Sequence, residues 1–142
     1  PDERDLVYWS GMVHDIGKLL VPLEILNKPS RLTDEEYAII KKHPVWGYEA
    51  LNKGSLNNIA NYVLHHHEKW DGSGYPDGLS GREIPLISQI LCVADAWDAM
   101  TSDRSYRLAL SEEKALTELK DNKGTQFSPK VVEAFLELKS NS

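Results

Sequence analysis

Apolar positions recur at helical spacing along nearly the whole chain. Leu6, Trp9, Val13 and Ile16 share one face of a helix predicted over residues 4–19. Residues 22–29 open and close on prolines and read as an irregular connection. Thr33, with Glu36 three positions later, is a capping box that starts the next helix. Pro44 is expected to break that helix just after His43, with a second piece running to about residue 53. Another helix spans residues 56–67, followed by DGSGYPDGLSGREIP at 71–85, a Gly/Pro-rich stretch that reads as an ordered loop. A helix over 86–101 turns Ile87, Ile90, Leu91 and Ala94 inward. Ser111 caps one more helix that stops near Gly124, and Ser128-Pro129 starts the last. With no alternating strand pattern, repeat, low-complexity tract or linker, the class is all-α in one domain.

Composition narrows the picture. The 142 residues are 41% hydrophobic and 27% charged, enough for one packed core. No run is long and apolar enough to span a bilayer, and no charged-then-apolar leader opens the chain. Cys92, the sole cysteine, lies in an apolar run; it is expected to be a packing residue, excludes a disulfide framework and fits a cytoplasmic setting. A net charge of −6 argues against a DNA-binding surface. A small anionic substrate stays compatible with it, because bound metal ions invert the local field.

All five histidines fall in three short clusters, at 14, 43 and 65–67. Taken singly, a histidine on an apolar face is usually a hydrogen-bonded core residue. Helical phase sharpens the reading. Extending the stripe Leu56, Ile59, Ala60, Val63 and Leu64 by three and four positions reaches His66 and His67, whereas His65 follows Asn61 and Tyr62 off the stripe. His43 is in line with Ile39 and Ile40. Asp95 sits at the edge of the 86–101 stripe, with Asp98 a turn further on. Inward imidazoles and carboxylates need partners. Together with His14-Asp15 they form a donor set suited to divalent transition metals.

At these residues the sequence resembles the HD-GYP family, a branch of the HD-domain phosphohydrolases. HDIGK at 14–18, LNKP at 26–29, LTDEE at 32–36, HP..G at 43–47, HHE at 66–68, DGSGYPDGL at 71–79, VADAWDAMTSDRSYR at 93–107 and GTQFSP at 124–129 carry the likeness in order. The resemblance implies an HD-type helical bundle with the ordered loop, and metal-dependent hydrolysis of cyclic di-GMP to linear pGpG and onward to GMP. It assigns metal binding to His14, Asp15, His43, His66, His67 and Asp95, with Asp15 bridging two divalent ions, Fe or Mn foremost and Zn, Ni or Co as further candidates. It gives Asp15 and Lys18 catalytic roles, Lys18 on the scissile phosphate, and lines the substrate end with Asp98, Arg104 and Arg107. Gly74, Tyr75 and Pro76 form the loop motif.

The family adds a histidine on an earlier helix. None of the 13 residues before His14 is one, so the chain is expected to be an HD-GYP domain over 1–142 lacking its first helix or helices. Ser105 and Ser128 also depart from the usual proline and aspartate. The competing class is a catalytically weak module that senses cyclic di-GMP or docks a diguanylate cyclase (GGDEF) domain through the loop. An upstream regulatory domain and a homodimer are the other expected partners.

Overall fold

The computed structural model describes residues 2–53, 56–104 and 107–142, and among them every regular element is helical. Helix α1 covers Glu3–Val13, and a 3₁₀ turn at Ile16–Leu20 follows it. Then come α2 (Leu23–Leu26), α3 (Asp34–Ile40), α4 (His43–Asn52), α5 (Asn57–Leu64), α6 (Leu86–Thr101), α7 (Glu112–Asp121) and α8 (Pro129–Ser140). The all-α expectation holds.

Several boundaries fall elsewhere than the periodicity implied. The first helix ends six residues early, at Val13, because the chain must turn to lay Gly17 against α4. A Cβ on Gly17 would sit 1.9 Å from the His43 carbonyl oxygen, so only glycine permits this approach. The 22–29 connection contains the single-turn α2. The break near Pro44 comes before His43, not after it. Pro44 therefore sits in the first turn of α4, where its missing N–H has no intrahelical acceptor to lose. Helix α5 stops at Leu64, so 65–67 form a turn rather than a last helical turn. Trp9 is half exposed and Ala94 is exposed, against the inward placement of both; Val93 is buried instead. The capping predictions stand. Thr33 and Glu36 exchange both bonds of the capping box, and Ser111 and Ser128 accept from Lys114 N and Val131 N.

Two apolar clusters organise the packing. Leu51, Ala60 and Val63 join α4 to α5, with Val13 and Ile16 packed on them. Val93, Leu119, Phe127 and Val132 join α6, α7 and α8, with Trp97 and Phe135 alongside. Cys92 is half-buried against the second cluster. Burial pushes its thiol up to about 12, so it is protonated and inert at neutral pH, as its packing role requires. Helix α6 has Val93 in this seam and Asp95 on its other side.

Candidate metal centre

The ends of three elements and the middle of a fourth meet at one point. His14 caps α1, Asp15 follows it, His43 opens α4, His66 and His67 follow α5, and Asp95 lies within α6. Ligand atoms of Asp15, His43, His66 and His67 lie within 4.8 Å of one another, as do those of His14, His66 and Asp95. His66 belongs to both groups.

The imidazoles are set for coordination. His14 Nδ1 and His43 Nδ1 each donate to the carbonyl three residues back, Gly11 and Ile40, both at 2.7 Å, and His66 Nδ1 donates to Val63 O. A carbonyl can only accept, so Nδ1 carries the hydrogen and Nε2 is turned into the cluster. The Nε2 atoms of His43, His66 and His67, and Asp15 Oδ1, are buried with no hydrogen-bond partner. Four such orphans in one place are costly, and a cation among them would satisfy all four. By this test the residues fit a metal.

Asp15 faces two ways. Its Oδ2 lies 3.1 Å from His14 Nε2 and 3.4 Å from Lys18 Nζ, whereas Oδ1 lies 3.5 Å from His43 Nε2 and 3.7 Å from His66 Nε2. Burial works against its charge, but the surrounding imidazoles, His14 first, hold its carboxyl far below the usual range. Burial likewise opposes charge on His14, yet hydrogen bonds to Asp15 and Asp95 outweigh it and lift His14 to about 10. Burial and the neighbouring His66 and His43 push His67 down to about 3. A lowered value keeps His67 neutral, the form in which an imidazole ligates a metal ion.

A groove of about 1120 Å³ opens beside the cluster, lined by Lys18, Asn27, Arg31, Tyr37, Asp95 and Arg104 among others. Lys18 and Arg104 are thus placed together with the cluster. Asp98 is exposed and pairs with Arg104 at 3.5 Å. Arg107 donates to Ala99 O and Leu108 O, holding the segment after α6. Ser105 lies outside the described residues.

Gly74 and Tyr75 sit directly against His67: Tyr75 stacks on it with centroids 5.2 Å apart and planes at 12°, and the Tyr75–Pro76 peptide is cis. Three residues without an assigned role in the sequence reading hold this loop. His65, off the apolar stripe, is nonetheless buried and pairs with Asp77 at 2.8 Å. Glu68 is also buried and binds the loop backbone. A carboxylate directly after the histidine pair was the one sequence signal for this.

The HD domain family model matches residues 2–131. A cyclic di-GMP phosphodiesterase of Vibrio cholerae is 43% identical over 144 residues, covering 96% of this chain and 29% of that protein. A 3′3′-cGAMP-specific phosphodiesterase 2 of the same organism is 42% identical over 138 residues, covering 95% of this chain and 26% of that protein. The chain therefore spans less than a third of either relative. An HDG"Y"P protein from Bdellovibrio bacteriovorus superposes with a TM-score of 0.74 over 99% of this chain and 45% of that one, at 18% identity, which shows a shared fold. No helix among the described residues is long and apolar enough to cross a membrane. With its HDIGK, HHE and GYP motifs in the order given above, the chain belongs to the HD-domain family, in the HD-GYP branch.

Proposed function

We propose that this chain hydrolyses the phosphodiester bond of cyclic di-GMP to linear pGpG, and pGpG onward to GMP, with two divalent transition ions, Fe or Mn, as cofactors. The observation that carries this is the group of four buried, unpartnered ligand atoms beside a groove that also holds Lys18 and Arg104. His14, Asp15, His43, His66, His67 and Asp95 would hold the ions, Asp15 using its two oxygens on the two sides of the cluster. Bound there, such ions supply Lewis acidity and a nucleophilic hydroxide from water at neutral pH. The side chains do the rest. Lys18, 3.4 Å from Asp15, places a positive charge where a phosphoryl oxygen gains negative charge during attack. Arg104 offers a second cation in the lining of the same groove, steadied by Asp98.

The cGAMP-specific relative favours a second substrate, 3′3′-cGAMP, which presents the same phosphodiesters with one different base. Incubating the Mn- or Fe(II)-loaded protein with each dinucleotide and resolving products by chromatography tests both. Formation of the linear dinucleotide is the expected result. Metal-loaded protein that binds either dinucleotide without cutting it would leave the domain a sensor and end the enzymatic reading.

A further inference from the structure

Of the rings in the cluster, His67 is the exception. His14, His43 and His66 are each fixed by a carbonyl three residues back, whereas among the described residues His67 has no such partner. An imidazole free to rotate about χ2 is a poor ligand, and ligating histidines nearly always have an outer partner that sets the ring. Here the near-parallel face of Tyr75 instead packs over the ring and restricts its rotation. We propose that Tyr75, clamped by Glu68, is the positioning residue for His67, so that the glycine-rich loop acts as an outer support of the metal centre.

The clamp is built from backbone and buried charge. Glu68 is 2% exposed, and its two oxygens accept from Asp77 N at 2.9 Å and Leu79 N at 3.0 Å. Both lie just beyond Tyr75-Pro76, so one carboxylate ties the far limb of the loop to the residue after His67. His65 Nε2 adds a bond to Asp77 Oδ2 at 2.8 Å from the other side of the same turn. The near limb is fixed by Tyr75 N donating to His67 O at 3.3 Å. Gly74 allows this, since a Cβ there would lie 2.4 Å from His67 O and Lys69 N. The Lys41 ammonium lies 5.7 Å from the Tyr75 ring centre. The ring thus lies near the Lys41 ammonium, and His67 is the group it stacks against.

This rests on the metal-centre reading above, and the test separates the two. Mn(II) affinity of the metal-free protein is measured by competition with a fluorescent chelator for wild type, Tyr75→Phe, Tyr75→Ala and Glu68→Gln. Loss of an outer partner typically weakens metal binding by about 10–100-fold, and Tyr75→Ala should fall in that range. Tyr75→Phe keeps the stacked face and should match wild type, a rescue that a merely space-filling role of the hydroxyl end would not produce. Glu68→Gln should weaken binding in the same direction, with circular dichroism confirming that it folds. Wild-type protein that takes up no Mn(II) would sink the metal centre itself. Wild type that binds alongside an equally tight Tyr75→Ala would overturn only the positioning role, and so would a Tyr75→Phe variant as weak as Tyr75→Ala.

Discussion

Two buried regions flank α6 and obey opposite rules. On one side, Val93, Leu119, Phe127 and Val132 fill the seam with α7 and α8, and every group there is apolar and satisfied by contact. On the other, Asp15, His43, His66 and His67 gather around atoms that have no partner. The first region is stable by itself, through apolar area removed from water. The second raises the free energy of the folded chain until something fills it. The difference teaches where this fold spends its stability: the apolar seam supports a polar cluster that could not hold itself together.

Breaking the comparison from the apolar side should give the largest effect. Phe127→Ala removes a ring that is 3% exposed and should cost about 3–5 kcal/mol, read as a lower denaturant midpoint. An unchanged midpoint would mean the seam is not the main source of stability. On the polar side, Asp15→Asn takes the central carboxylate from the cluster. It should lose metal uptake and slow hydrolysis by more than the roughly 10–100-fold typical of outer partners, while circular dichroism stays that of the folded chain. Full metal content in that variant would remove Asp15 from the site.

The smallest effect is expected where neither region is touched. Glu36 closes the capping box of α3 and accepts from Lys28 Nζ at 2.6 Å, contacts that hold its carboxyl below its ordinary value of 4.5. A depressed folded value means its contribution is present above about pH 4.5 and is lost as pH falls through the folded value. Glu36→Gln should therefore flatten a slight acid-side decline in melting temperature without altering metal uptake. A changed metal affinity would show that α3 and the cluster are coupled.

Local signals were legible wherever a local interaction decides the outcome. The capping box at Thr33, the Ser111 and Ser128 caps and the span of α6 all depend on residues within a turn of one another, and all were read correctly. The six cluster residues were also legible, though partly for an incomplete reason. His66 and His67 were placed inward by extending a helix that in fact stops at Leu64. Their direction survives because the turn at 65–67 is pinned by Glu68 N donating to His65 O and by His66 Nδ1 on Val63 O.

Other outcomes depended on contacts distant in sequence. Ending α1 at Val13 follows from the approach of Gly17 to His43. The exposure of Ala94 follows from α6 being packed on two flanks rather than along one stripe. The burial of His65 and Glu68 follows from a loop folding back over them, which no period in the chain encodes. By itself, then, the sequence determined the helices, their caps and the donor set, because periodicity and side-chain chemistry are properties of neighbours along the chain. Only the tertiary structure decided how Asp15 divides its oxygens, because the rings of His43 and His66 reach it from helices far apart in sequence.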